Sequence, residues 1–305
     1  MTWLLLAFLS AALLGFYDVS KKKALQGRPV IPVLFLNTLF CSLIFLPVAL
    51  HPAVPFGGWA VQKYIVLKSF IVLSSWICGY YGIKNLPLTL VGPINATRPV
   101  MVLLGALLLF GERLNLYQWI GVLLAILSFY MLSRSGKKEG IDFRHNRWIA
   151  LTVLAALLGA VSGLYDKYLM AAPEAGGVGL NRMTVQSYFN FYQCGIMAIF
   201  LILTLSKGEG KVAGKGNLPL FKGGLGVSPW VFLVSLFLSM ADFAYFYALS
   251  LDGAMISVVS MVRRSSVLVS FTVGAFVFHE KNLRSKAIDL LLVLLGMIFL
   301  YIGTK

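Results

Sequence analysis

Carboxylates are scarce in this chain. Asp and Glu together number 11 in 305 residues, against 26 Lys and Arg, and charged residues of both signs make up only 12%. With 59% hydrophobic residues and a mean hydropathy of +0.86, there is too little polar surface to face water all round, which excludes a soluble domain. Histidine is limited to His51, His145 and His279, and cysteine to Cys41, Cys78 and Cys194. No CxxC and no cysteine–histidine spacing suits a metal, so neither a zinc site nor a disulfide framework is expected, and no cofactor is implied. The cysteines fall inside apolar runs and read as small core residues. A nucleophile with its base and a Walker loop are also missing, so no enzyme is expected.

What the chain has is long apolar runs. Ten segments have the length a helix needs to cross roughly 30 Å of hydrocarbon, near 3–20, 30–50, 63–83, 86–110, 115–133, 147–169, 183–206, 229–249, 253–278 and 283–303. Runs such as 100–110 and 290–295 are continuously apolar, which excludes the period-two alternation of a β-barrel. The fold class is an all-α polytopic membrane protein of ten transmembrane helices. The first run begins at Trp3 without a basic region before it or a small-residue cleavage site after it, and is expected to stay as a membrane helix. The net charge of +15 sits in short loops with no aromatic interleaving; it reports topology, and no nucleic acid is expected as a partner.

A polar linker at 134–146 divides the chain into five-helix halves, 1–133 and 147–305, that resemble each other. Leu13-Leu14-Gly15 recurs as Leu157-Leu158-Gly159, and Asn37 with Cys41 recurs as Asn190 with Cys194. Phe110-Gly111-Glu112-Arg113-Leu114, closing helix 4, recurs as Phe278-His279-Glu280-Lys281, closing helix 9. In order, these matches indicate a duplication. An odd number of helices per half forces the copies to insert in opposite senses, the inverted-repeat plan of secondary transporters, with the substrate site near the midplane.

Three arginines fall at that depth: Arg98 on helix 4, and Arg263 with Arg264 on helix 9. A cation at the bilayer centre costs about 2.5–3.5 kcal/mol on insertion scales. Snorkelling is excluded, because the side chain reaches about 6 Å while the helix ends are roughly 18 Å away. The one carboxylate assigned to comparable depth is Asp242 on helix 8, which leaves about two positive charges in excess and points to an anion site. Guanidinium forks suit phosphate oxygens, which they bind bidentately without losing a proton. Asp242 reads as a fixed salt-bridge partner before a proton carrier, since neighbouring cations favour the charged carboxylate.

Asn95 stands about one turn before Arg98 and shares its face, where it serves either substrate or helix contact. Pro93 and Pro99 bracket Arg98 and loosen helix 4. Tyr80, Tyr81, Tyr245 and Tyr247 either line the pocket or pack in the core. Asp18 and Asp166, beside lysines at helix ends, read as solvated ion pairs. Glu112 and Glu280 open short turns and are expected to accept from free amides at the N-terminus of the helix that follows each.

Counting Lys and Arg alone, loops 1-2, 3-4, 5-6, 7-8 and 9-10 hold seventeen and the opposite side six. By the positive-inside rule both termini lie outside the cytoplasm.

Two five-helix repeats, a Gly-Glu-Arg-Leu element closing helix 4 and a degenerate His-Glu-Lys copy closing helix 9 resemble the drug/metabolite transporter superfamily, EamA type, over essentially the whole chain. Ten-helix members of that superfamily usually keep both termini in the cytoplasm, opposite to the charge count here. The basic residues are similar to those of the plastid triose-phosphate/phosphate translocators, which place one on helix 4 and an adjacent pair on helix 9. The resemblance implies a histidine on helix 3 and a tyrosine on helix 8 beside them; Tyr245 or Tyr247 matches the tyrosine, while Tyr80 or Tyr81 stands where the histidine is lacking.

The function so implied is a secondary antiporter of the inner membrane that exchanges a phosphorylated or otherwise anionic small metabolite, as a monomer or weak dimer in the lipid bilayer. The alternatives are an exporter of amino acids or amphipathic metabolites, and a flippase or carrier of an anionic lipid headgroup.

Overall fold

In the computed structural model the chain is a bundle of helices. The structure describes residues 2–51, 54, 56–101, 104–105, 115–137, 141, 143, 145–170, 173–206, 228–250, 262–280 and 283–303. Among the described residues ten α-helices occur and no strand: α1 Thr2–Leu25, α2 Val30–Ala49, α3 Gly58–Asn85, α4 Leu88–Ala96, α5 Leu116–Lys137, α6 Arg147–Met170, α7 Arg182–Ser206, α8 Pro229–Ser250, α9 Ser266–Phe278 and α10 Leu283–Ile302. Six of them (α1, α2, α3, α5, α6 and α7) contain stretches long and apolar enough to cross a membrane, and Pro229–Tyr245 in α8 forms a shorter apolar helix. The chain is a multi-pass helical membrane protein.

Burial is distributed as lipid demands. Leu5, Phe8, Leu123, Ile126, Ile199, Ile202 and Phe276 are exposed, whereas Ser10, Asn37, Ser69, Ser75, Asn190 and Ser235 are buried. Aliphatic side chains lose nothing by facing acyl chains, while hydroxyls and amides there would lack partners, so the polar groups turn inward and join helices. The Ser10 hydroxyl of α1 donates to the Ala241 carbonyl of α8 at 2.7 Å, and that of Ser75 on α3 to the Ala155 carbonyl of α6 at 2.7 Å. Ser42 of α2 donates to the Asn190 carbonyl of α7 at 3.0 Å, and Ser128 of α5 to the Asp289 carbonyl of α10 at 2.6 Å. The resulting packing pairs α1 with α8, α3 with α6, α2 with α7, α4 with α9, and α5 with α10.

Three expectations change. The run 86–110 is not one straight span: its described part breaks at Thr97. Helix α1 runs on to Leu25 and takes Lys21, Lys22 and Lys23 out of the loop. Lys21 is 7% exposed, Lys68 7% and Lys286, inside α10, 0%, so these three do not stand in water as loop charges. Removing them leaves the sign of the loop bias as it was. Glu112, the rest of its turn at 111–114, Lys281, and the loop lysines Lys138, Lys207, Lys211, Lys215 and Lys222 with Arg144 lie outside the described residues.

Candidate functional site

The arginines stand at two matching breaks. Just past α4, Pro99 has no N–H to give to the carbonyl of Asn95, four residues back, so the helix cannot continue undisturbed through Arg98. The chain answers with a tighter turn: Thr97 N–H donates to the Ile94 carbonyl at 3.2 Å, its hydroxyl donates to the same oxygen at 2.7 Å, and Val100 N–H returns to Thr97 at 3.0 Å. Before α9 the same bonds recur without a proline. Ser265 N–H and hydroxyl both reach the Val262 carbonyl, at 3.0 and 2.6 Å, and Leu268 N–H returns to Ser265 at 2.8 Å. The 168-residue interval between Thr97 and Ser265 is also the interval between Glu112 and Glu280.

Beside these turns the three guanidiniums fare differently. Arg98 donates Nη2 to Asn95 Oδ1 at 3.2 Å, keeps a buried Nε without a hydrogen-bond partner, and lies within electrostatic reach of Asp18 of α1. Arg263 is ion-paired through Nη2 with Asp242 of α8 and lies over the Tyr245 ring, 4.4 Å from its centroid. The second Asp242 oxygen accepts from Gln186 Nε2 of α7 at 3.2 Å. Arg264 is exposed and has no carboxylate partner among the described residues, yet it lies within electrostatic reach of both Arg98 and Arg263. Arg264 is thus an exposed cation flanked by two others.

The remaining candidates divide. Asn95 and Tyr245 join the arginines. Tyr80 is buried in the main core beside Tyr17, with Lys21 Nζ 5.2 Å from its ring centroid. Tyr81 turns the other way and stacks on Trp148 of α6 at 6.1 Å. Tyr247 is 52% exposed, and the ring on Arg263 is that of Tyr245 instead.

Two ion pairs overturn the solvated reading of Asp18 and Asp166. Lys21 Nζ lies 2.8 Å from Asp18 Oδ1 and 4.1 Å from the Tyr17 ring centroid, with its side chain 9% exposed. Lys68 of α3 pairs with Asp166 of α6 and sits over Phe189, 5.3 Å from the ring centroid. Asp18 and Lys21 were missed because they sit against the run Lys21-Lys22-Lys23, which looks like a helix end. The recurrence of Gly15-Phe16-Tyr17-Asp18 as Gly163-Leu164-Tyr165-Asp166 was the available signal.

Among the described residues Glu280 caps a helix, and that helix is α4. His279 takes a left-handed conformation, φ 50°, and Glu280 N–H reaches back to the Ala275 carbonyl at 3.2 Å, closing α9. That turn sends the carboxylate to the start of α4. Oε1 accepts from Leu88 N–H at 2.7 Å, and Oε2 accepts from Thr89 N–H at 2.9 Å and from the Thr89 hydroxyl. Lys286 Nζ bonds Thr89 Oγ1 at 2.9 Å; Lys22 Nζ donates to the Leu86 carbonyl at 2.6 Å and to Glu280 at 3.4 Å. A cleft of about 340 Å³ over this network is lined by Lys22, Gln26, Lys84, Asn85, Leu86, Pro87, Phe278 and Glu280. An apolar cleft of about 430 Å³ between the end of α2 and the start of α7 is lined by Pro47, Val48, His51, Val54, Asn181 and Met183. Cys41, Cys78 and Cys194 are free thiols, and no group of three or more metal-ligating side chains occurs among the described residues.

A multi-pass helical bundle with basic side chains at paired helix breaks is the class these features define. Residues 1–134 match the EamA-like transporter family. An uncharacterized transporter of Archaeoglobus fulgidus is 28% identical over 140 residues, 44% of this chain and 49% of that protein. The uncharacterized transporter PA0485 of Pseudomonas aeruginosa is 31% identical over 126 residues, 38% of this chain and 42% of that protein. The matched part thus spans under half the length of either relative. One solved crystal structure, 14% identical, superposes with a TM-score of 0.62 over 99% of this chain and 97% of that one, a likeness of fold. Together the family match and the relatives support a membrane transporter role.

Proposed function

We propose that the chain is an alternating-access antiporter exchanging a phosphorylated or other anionic small metabolite at Arg98, Arg263 and Arg264. The observation that carries this is charge: among the described residues, Arg98, Arg263, Arg264 and Lys21 are set against Asp18 and Asp242, which leaves two cations in excess. An occluded carrier must isolate that excess from water, and the cost of unpaired charge in the membrane makes the empty form slow to convert. An organic phosphate, near −2 at neutral pH, offsets it, so the loaded carrier converts quickly. Exchange is the outcome.

The architecture we propose is ten transmembrane helices in two inverted repeats, 1–133 and 147–305. The packing supports it: exchanging the halves turns α1–α8 into α6–α3 and leaves α2–α7, α4–α9 and α5–α10 as they are. In our reading the protein lies in the cytoplasmic membrane with its termini outside, as the loop charges favour, and the likeness of its basic residues to those of phosphate translocators belongs to the same proposal.

Reconstitution tests the exchange. Vesicles loaded with phosphate are expected to take up labelled phosphate quickly and unloaded vesicles slowly. Equally fast uptake without an internal anion rejects antiport.

A further inference from the structure

Gly15 of α1 and Gly159 of α6 close the same Leu-Leu-Gly element in the two halves. Each lies against a neighbouring helix, and what fills the space differs. A Cβ on Gly15 would fall 2.4 Å from Val269 Cβ and 3.0 Å from the Ser266 carbonyl oxygen, so there the missing side chain lets α1 and α9 approach closely. A Cβ on Gly159 would fall 2.8 Å from Arg98 Cζ, 2.9 Å from Nη1 and 3.0 Å from Nε. There a guanidinium occupies the space. Ser266 and Arg98 are themselves separated by the 168-residue interval of the repeat. One of these glycines joins two helix backbones and the other houses a cation.

We infer that Gly159 is a positioning residue of the arginine site, an inference that rests on the anion-binding reading of Arg98. The bare backbone of α6 supports the guanidinium while Asn95 holds Nη2 from α4 itself. Nε also lies against Gly159 but makes no hydrogen bond there or to Asn95, and this buried donor is left over for an anion. A methyl at 159 must push the group away by roughly 0.5–1 Å to restore ordinary van der Waals separation. Binding constellations tolerate about 0.5 Å of displacement, so the arginine remains present but no longer meets its ligand in register.

The test uses the purified full chain in detergent, with inorganic phosphate as the probe and thermal stability against phosphate concentration as the readout. Gly159→Ala is expected to weaken phosphate binding roughly ten- to hundredfold, the loss that follows misalignment of a charge-assisted hydrogen bond. Its stability without phosphate stays close to wild type. A Gly159→Ala chain that binds phosphate as the wild type does overturns the role of Gly159 and leaves the anion site intact; a wild type indifferent to phosphate overturns both. Where Gly159→Ala fails to fold, Arg98→Lys is added, since an ammonium has no planar head to press on the methyl. Recovery of folding in that double variant supports the contact with Arg98, and continued failure to fold overturns it.

Discussion

Asp242 holds Arg263, not Arg264, and the Tyr245 ring lies under the same guanidinium. Adjacent residues on a helix point about 100° apart, so one carboxylate on α8 serves only one of them. The site therefore contains one arginine secured by the protein and one left accessible. That division assigns different expected behaviour to neighbouring side chains.

Asp242→Asn is expected to strand a partly buried cation. The pair is 20% and 16% exposed, and breaking such a pair costs about 3 kcal/mol, seen as a Tm lower by several degrees. Asp242→Asn combined with Arg263→Gln removes both charges and is expected to recover most of the loss. Thermal unfolding of both variants beside the wild type in detergent checks this; equal losses in the single and double variants contradict it. The fixed-partner reading of Asp242 expects uptake by Asp242→Asn to retain whatever pH dependence the wild type has, and loss of that dependence favours a proton carrier instead.

Arg264→Ala behaves in the opposite way. Removing an accessible cation repelled by two neighbours leaves stability unchanged or slightly higher, while phosphate affinity falls roughly ten- to hundredfold with the lost charge-assisted bonds. Arg98→Ala should lose affinity similarly. Titration of phosphate against both variants decides the matter, and wild-type affinity in either defeats its place in the site.

The depth of the arginines was legible because unpaired charge inside a long apolar run has a cost that no surface function explains. Asp242 was legible for the same reason from the opposite sign. Asp18 was not, since a carboxylate three residues before a lysine run looks like the end of a helix, and only packing of α1 against α3 shows that Lys21 turns inward over Tyr80. Tyr80 and Tyr81 could not be separated by spacing, because which of them meets Trp148 depends on how α3 rotates against α6. The break at Thr97 was foreshadowed by Pro99, whereas the same break at Ser265 has no proline to announce it. The cap that Glu280 makes on α4 was not legible, because sequence distance hides that α4 begins beside the end of α9.

Glu280→Gln keeps the shape of the side chain and removes its charge, weakening the bonds to Leu88 N–H and Thr89 N–H and leaving Lys286 and Lys22 less well balanced. Hydrogen bonds to a charged group contribute roughly 1.5–3 kcal/mol, so the first turn of α4 is expected to open more often. Hydrogen exchange at the Leu88 and Thr89 amides should quicken by one to two orders of magnitude, about what that energy range implies. Unchanged protection there, with the protein folded, removes Glu280 as the cap of α4.

His279 is the one non-glycine residue with positive φ among those described, and the matching place in the first half is Gly111. A side chain in the left-handed region costs roughly 1 kcal/mol or more, and glycine avoids that cost while losing more freedom on folding. The turn is needed because Glu280 must reach both back to Ala275 and across to α4. His279→Gly is therefore expected to keep every bond of Glu280 and raise stability by up to about 1 kcal/mol, a gain of a few degrees in Tm. His279→Val, whose branched Cβ suits that conformation poorly, should lower Tm by more than the glycine raises it and quicken exchange at Leu88 and Thr89 as Glu280→Gln does. If valine lowers Tm yet leaves those amides protected, the strained turn stabilises α9 alone and does not aim the carboxylate at α4.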